Sequence, residues 1–328
     1  MTPVTLVEVS PRDGLQNESR AVSTADKLAL IERLVAIGAR RIEVTSFVNP
    51  RRVPQMADAD ALAAALPEAP GVSFIGLCLN ERGVERAVAS SQGSRGIDEI
   101  GCVMVATDAF GIANQGQTVP QGLGANRAMI RAANAAGLDA QVTISASFGC
   151  PFEGPVDPDR VLGLAEELVG YGAREIAFAD TIGVAVPRQV GALVEQARHL
   201  LGDEFPIRVH LHDTRGMAPA NAWAAYEAGC RIFDSALGGL GGCPFAPGAA
   251  GNLATEELVY LFERSGIDCE IALGDALAAN KWLSGIMDKA LPSRVGRAGD
   301  FTISVQQRES ACAIVLESMS AARSPTCW

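Results

Sequence analysis

Gly38-Ala39-Arg40-Arg41-Ile42-Glu43 closes one amphipathic stretch and opens a β-branched one; the device returns at Gly172-Ala173-Arg174-Glu175-Ile176 and Gly229-Cys230-Arg231-Ile232-Phe233. Each time a helix-terminating glycine is followed by small or charged residues and then by a strand pattern, so a βα unit is being repeated. Working outward, strand-like runs occur at Val4–Val9, Arg41–Phe47, Val72–Leu77, Glu99–Ala106, Gln141–Ser147, Glu175–Ala179, Ile207–His212 and Ile232–Leu237. Helical patterns lie between them. Ala25–Ile37 follows Ser23 and has Asp26 as a capping partner; Pro158–Tyr171 follows Asp157 and begins with proline, which suits a first helical position. Eight such units over about 250 residues match a TIM barrel. The competitor is a doubly wound open sheet, but Ser10-Pro11-Arg12-Asp13-Gly14 puts charge where a phosphate-binding glycine turn would follow the first strand.

The expected fold is therefore α/β: a (β/α)8 TIM barrel over residues 1–270, with a C-terminal helical extension and tail over 271–328. Thr255–Ser265 and Leu273–Lys289 read as helices. The apolar Ala311–Leu316 would cap the barrel base or support a homo-oligomer, expected to be a dimer.

With 328 residues, 48% hydrophobic and 20% charged, the chain can bury a large core, which excludes disorder as its main state. Neither a secretory leader pattern nor an apolar run of spanning length is visible, so a soluble cytoplasmic protein is expected. The eight cysteines form no CxxC pair, which suits reduced thiols. A net charge of −11 argues against nucleic acid or an anionic membrane as partner. An anionic substrate would need a locally basic pocket.

Three strand ends carry the chemistry. In His210-Leu211-His212-Asp213 the histidines lie two apart on a strand, face the same way and can reach one metal ion; the alternative is a pair of hydrogen-bonded interior histidines. The third histidine, His199, sits in a helical pattern and reads as a surface residue. Arg12-Asp13 ends the first strand, which in a closed barrel neighbours the eighth, so Asp13 can approach the histidines across roughly 200 residues of sequence. A carboxylate beside two imidazoles suits Mg²⁺, Mn²⁺, Co²⁺ or Zn²⁺. Arg12-Asp13 alone would be an ordinary ion pair. The eighth strand leads into Gly238-Gly239-Leu240-Gly241-Gly242-Cys243-Pro244-Phe245-Ala246-Pro247-Gly248-Ala249-Ala250-Gly251-Asn252, a glycine-rich loop expected at the catalytic face. There Cys243 offers a thiol, and Asn252 an amide oxygen as a further ligand.

These elements resemble 3-hydroxy-3-methylglutaryl-CoA lyases. The resemblance rests, in order, on Pro11-Arg12-Asp13-Gly14-Leu15-Gln16-Asn17-Glu18, Glu43-Val44-Thr45-Ser46-Phe47-Val48-Asn49-Pro50, Val53-Pro54-Gln55-Met56, Gly149-Cys150-Pro151-Phe152-Glu153-Gly154, Asp180-Thr181-Ile182-Gly183, His210-Leu211-His212-Asp213-Thr214 and the Cys243 loop through Asn252-Leu253-Ala254-Thr255-Glu256. It implies a divalent cation, Mg²⁺ or Mn²⁺, held by Asp13, His210, His212 and Asn252, with Arg12, Glu43, Asp180 and Cys243 in the catalytic site. The HxHD and Arg-Asp elements are shared with isopropylmalate synthases, whereas the GGLGGCP loop is specific to the lyases. Two departures stand out. Arg215 and Met217 replace the tyrosine and glutamine usual after HDT, and Gln141 replaces an arginine on strand five, which predicts an altered substrate-facing shell and room for a bulkier acyl group.

The implied reaction is retro-Claisen cleavage of a branched 3-hydroxyacyl-CoA to acetyl-CoA and a keto acid such as acetoacetate. His210 or Asp13 would take the hydroxyl proton, Arg12 would stabilise the developing enolate oxygen, and Cys243 would protonate the enolate carbon. Glu43 and Asp180 would orient Arg12 or the hydroxyl, or else are barrel-mouth carboxylates paired with nearby cations. Arg51 and Arg52 would meet CoA phosphates, or else remain a solvated charge pair. Rival readings are an acetyl-CoA-dependent 2-oxo acid condensing synthase and a catalytically silent CoA-binding barrel.

Overall fold

The computed structural model describes residues 2–92, 94–242 and 251–301. Eight parallel strands close on themselves: β1 (Thr5–Glu8), β2 (Arg41–Ser46), β3 (Ser73–Leu77), β4 (Glu99–Val105), β5 (Asp139–Ser145), β6 (Glu175–Asp180), β7 (Ile207–Leu211) and β8 (Ile232–Ser235). Closure is explicit in the register, since Thr5 pairs with Ile232 on one side of β1 and Val7 with Arg41 on the other. The expected TIM barrel is the fold, and each of the eight strand readings is met with ends displaced by up to two residues.

Helices follow the strands: α1 (Thr24–Ala36), α2 (Ala59–Ala64), α3 (Glu81–Ser90), α4 (Asp108–Gln115), α5 (Val119–Ala135), α6 (Pro158–Gly170), α7 (Pro187–Leu201), α8 (Ala218–Glu227) and α9 (Thr255–Arg264). Their starts obey local chemistry. The Ser23 side chain accepts from the Asp26 N–H at 3.1 Å, and Asp157 accepts from the Asp159 N–H at 3.0 Å ahead of Pro158, caps typically worth about 1 kcal/mol each. Beyond the barrel, α10 (Leu273–Met287) packs on α9 and α1, and the short α11 (Arg294–Ala298) packs on α9. Cys243 and Ala311–Leu316 lie outside the described residues.

Two cores result. One lies between strands and helices and is apolar, with Leu30, Ile31, Leu34, Ile42, Phe74, Phe178 and Phe262 fully buried. The other fills the barrel and mixes a small apolar cluster, Val7, Val9, Ile75 and Ala236, with paired charges. Arg41 bridges Glu99 at 2.6 Å and Glu175 at 2.7 Å, and Arg208 bridges Glu175 at 2.7 Å and Asp234 at 2.5 Å. Buried charges survive only when each is met in this way, and the pairs hold both guanidinium pKa values above the usual arginine range despite burial. This charged floor supports the site above it.

Candidate metal centre and active site

Parallel strands put all their C-terminal ends on one face. There β1 ends in a π-helical turn, Ser10–Gly14, in which the N–H groups of Asp13 and Gly14 donate to the Val9 carbonyl at 2.8 and 3.1 Å. Arg12 and Asp13 from that turn line a cavity of about 200 Å³ together with Glu43, His210, His212 and Asp234. The lining also includes the apolar Val48, Val53, Leu77, Leu79, Val103 and Phe110.

The ends of the first and seventh strands come together here. His210 Nε2 and His212 Nε2 stand 3.1 Å apart, and Asp13 Oδ2 is 3.9 Å from His210 Nε2. Asp13, His210 and His212 can each turn one ligand atom toward a common point. Asn252 is delivered to the same place by a bridge to His212 and by its amide, which donates to Asp13 Oδ2 at 2.7 Å and to the Leu240 carbonyl at 3.0 Å. Because both amide N–H groups are thereby used, the Asn252 Oδ1 is left buried and without a partner among the described residues. A buried, unmatched acceptor next to a carboxylate and two facing imidazoles is the environment a hard divalent cation relieves. The donor set therefore fits a metal ion. Gly241 makes room for the Asn252 amide, since at φ +113° a side chain is disfavoured and a Cβ would sit 2.6 Å from the Asn252 amide nitrogen.

Electrostatics prepare Asp13 and His212 to ligate. Burial alone would raise the Asp13 pKa, but Arg12, the two imidazoles and the Asn252 amide hold it well below the usual carboxylate range. Burial and the neighbouring His210 pull His212 down to about 4, so its ring is neutral at pH 7 and keeps a lone pair. For His210, burial opposes the charged form but is outweighed by Asp234 and Asp13, which raise its pKa.

Asp234 was not visible in the sequence as a site residue. Its Oδ2 contacts His210 Nδ1 at 2.9 Å while its Oδ1 takes Arg208 Nη1 at 2.5 Å, so a carboxylate fixes the ring and leaves Nε2 facing the cavity. A signal existed for Arg208: it alternates with His210 and His212 along one strand face. Asp234→Asn is expected to weaken divalent-ion affinity about ten- to hundredfold, the usual effect of losing an outer partner of a ligating histidine. Titration with Mn²⁺ measures this, and unchanged affinity would leave Asp234 a barrel-packing residue only.

Glu43 orients Arg12, accepting from its Nε at 2.7 Å and pairing with Nη2 at 2.5 Å, while Arg12 Nη1 donates to Asp13 Oδ1 at 2.5 Å. Burial disfavours the guanidinium charge, but Glu43 and Asp13 more than restore it, raising its pKa. The Asp180 oxygens accept from the backbone N–H groups of Val184 and Ala185 at 2.8 and 3.0 Å, which ties this carboxylate to the loop after β6. Cys243 cannot be placed, yet it directly follows Gly242, a cavity-lining residue whose carbonyl accepts from Asn17 at 2.7 Å. Arg51 and Arg52 are exposed on the turn between the cavity-lining Val48 and Val53, and His199 is exposed on α7.

The three departures do not form a substrate-facing shell. Gln141 is buried in the charged floor, where its side chain meets Arg208 and its Nε2 is 3.3 Å from Glu99 Oε2. Arg208, from β7, thus supplies a guanidinium beside the glutamine on β5. Arg215 donates to the Ile182 and Gly183 carbonyls at 3.0 and 2.8 Å, and Met217 is 41% exposed. None of the three lines the cavity, so the expectation of a bulkier acyl group loses its support.

Comparison with known proteins agrees with this geometry. The HMGL-like family model matches residues 3–282. An (R)-citramalyl-CoA lyase of Chloroflexus aurantiacus is 44% identical over 309 residues, 91% of this chain and 96% of the relative. A hydroxymethylglutaryl-CoA lyase of Bacillus subtilis is 40% identical, covering 89% of this chain and 95% of the relative. Among solved structures, an HMG-CoA lyase of Acinetobacter baumannii in complex with coenzyme A and 3-methylmalate superimposes with a TM-score of 0.86 at 36% identity, covering 92% of this chain and 96% of that one.

Proposed function

The chain belongs to the HMGL-like family and is a carbon–carbon lyase, and from that premise we propose that it cleaves a short branched 3-hydroxyacyl-CoA bearing a carboxylate, of the 3-hydroxy-3-methylglutaryl-CoA or citramalyl-CoA kind. The observation that carries the proposal is the placing of Arg12 and the Asp13, His210, His212 group on one small cavity. Asp13, His210, His212 and Asn252 would hold a divalent cation, for which the family resemblance suggests Mg²⁺ or Mn²⁺ and which the donor set itself admits alongside Co²⁺ or Zn²⁺. Bound there, such an ion would polarise the substrate's oxygens and lower the pKa of its hydroxyl.

The protein's own groups account for the rest. The hydroxyl proton passes to a base, the C2–C3 electron pair moves onto C2, and the products are a ketone at C3 and a thioester enolate. Arg12, held by Glu43 and only 12% exposed, is the fixed positive charge for the enolate oxygen. The apolar lining residues from Val48 to Phe110 exclude water and accommodate the branched methyl group. Cys243, following Gly242, is the proposed acid that delivers a proton to C2 and completes acetyl-CoA. Arg51 and Arg52, exposed beside Val48 and Val53, are positioned for the anionic part of CoA.

The condensing-synthase and silent-barrel readings find no favouring observation, because the relatives are lyases and the ligand set is intact. No helix among the described residues is long and apolar enough to cross a membrane. Cys78, Cys102, Cys150, Cys230 and Cys269 are buried free thiols, which supports a reducing, cytoplasmic location. Incubation of the metal-loaded protein with a set of branched 3-hydroxyacyl-CoAs, with product mass spectrometry, is expected to show acetyl-CoA together with acetoacetate or pyruvate. Turnover confined to condensation of acetyl-CoA with a 2-oxo acid, or none with any member of the set, would overturn the proposal.

A further inference from the structure

The HMGL-like match ends at residue 282, yet the segment after α10 returns to the catalytic face and touches two of its loops and the first turn of α9. Leu291, 3% exposed, packs on Gly238 so closely that a Cβ there would lie 2.3 Å from its side chain. The Ser293 N–H donates to the Gly238 carbonyl at 2.9 Å, while the Gly238 N–H is held by Glu256 at 3.0 Å. Gly238 opens the loop whose Leu240 carbonyl and Gly241 accommodate Asn252. Arg294 then crosses to the next loop. Its Nη1 meets Asp213 Oδ2 at 2.5 Å and Glu257 Oε2 at 3.3 Å, and its backbone N–H donates to Glu257 Oε1 at 2.7 Å.

Asp213 is the residue after His212, and it is fully occupied. Its Oδ1 accepts from the Ala218 N–H at 3.0 Å to start α8, and its N–H donates to the Gly251 carbonyl at 3.1 Å, immediately before Asn252. Arg294 therefore ties the His212 strand end to the first turn of α9, and the Asn252 segment runs between these anchors. The Arg294 side chain is 54% exposed whereas those of Asp213 and Glu257 are each 8% exposed, so the cation closes over two sheltered carboxylates from outside.

We infer that Leu291–Arg294 is a clamp on the catalytic-face loops, and that Arg294 is a positioning residue which sets the spacing of His212 and Asn252 for a divalent cation. The inference rests on the metal-site reading above. A helix-capping role for Asp213 alone does not account for a second carboxylate, from α9, meeting the same guanidinium nitrogen. Because one nitrogen, Nη1, makes both side-chain contacts, an ammonium can replace it where an uncharged amide cannot.

The test is equilibrium binding of Mn²⁺ to the full chain, read from the free-ion electron paramagnetic resonance signal, with thermal unfolding measured in parallel. Arg294→Gln is expected to weaken Mn²⁺ binding at least fivefold, somewhat below the roughly ten- to hundredfold known for direct outer partners of metal ligands, since Arg294 acts one residue further out. Arg294→Lys is expected to recover most of that loss, and both variants should unfold within a few degrees of the unsubstituted chain in the absence of metal. A change of less than fivefold in Arg294→Gln overturns the inference. So does a loss that Arg294→Lys fails to restore, or one matched by a general fall in metal-free stability. Failure of the unsubstituted chain to bind one equivalent of Mn²⁺ would instead remove the metal-site reading itself, and this inference with it.

Discussion

Arg12→Lys is expected to lower kcat by about 10²- to 10³-fold, the cost of removing one preorganised donor from a developing oxyanion, or roughly 3–4 kcal/mol. The argument rests on shape as much as charge. Arg12 uses Nε and Nη2 on Glu43 and Nη1 on Asp13, so its plane is fixed from two sides before substrate arrives. A lysine ammonium preserves the net charge but is a point donor on a flexible stem and cannot hold both carboxylates while facing an enolate oxygen. The effect belongs to the transition state, where enolate charge is greatest, so KM should change less than kcat. Steady-state kinetics on the purified variant check this. A kcat within threefold of the unsubstituted enzyme would remove Arg12 from the chemical step and return the Arg12–Glu43–Asp13 cluster to a purely structural role.

The second large effect is expected at Asp13. Asp13→Ala takes away the carboxylate of the Asp13–His210–His212 group and also strips Arg12 Nη1 and the Asn252 amide of an acceptor. Loss of an outer partner of a metal ligand typically costs about ten- to hundredfold in affinity or activity, so loss of a ligand itself should exceed about a hundredfold in both. Folding should survive, since the Asp13 side chain is 18% exposed and sits on a turn rather than in the helix–strand core. Metal content by mass spectrometry and kcat should fall together. Retention of one ion per chain with kcat within tenfold would show that the ion, if present, is held elsewhere.

Much of this was legible because it depends on short-range periodicity. The glycine junctions marked βα repeats, two-residue spacing put His210 and His212 on one face, and circular closure brought Asp13 from β1 to them. What escaped depends on register between strands. Ile232 pairs with Arg208 and Phe233 with Val209, so Asp234, one step further on, falls beside His210; no pattern within β8 alone announces that. Gln141, Arg215 and Met217 drew attention as departures from a family pattern, but sequence could not show that they face the floor, a loop carbonyl pair and solvent. Asp180 shows the same dependence on tertiary detail: that the backbone N–H groups of Val184 and Ala185 meet its two oxygens is not written in the strand pattern. Arg294 lies 81 residues from Asp213 and beyond the family-model match, and no periodicity in the sequence couples the two.

The central claim is that this lyase breaks its substrate only with a divalent ion among Asp13, His210 and His212. The direct measurement is acetyl-CoA release from 3-hydroxy-3-methylglutaryl-CoA and citramalyl-CoA by exhaustively chelated protein, before and after addition of one equivalent of Mn²⁺. The account predicts no release beforehand and full recovery afterwards with at least one of the two substrates, with no recovery in Asp13→Ala. Undiminished acetyl-CoA release by protein free of detectable metal would contradict it.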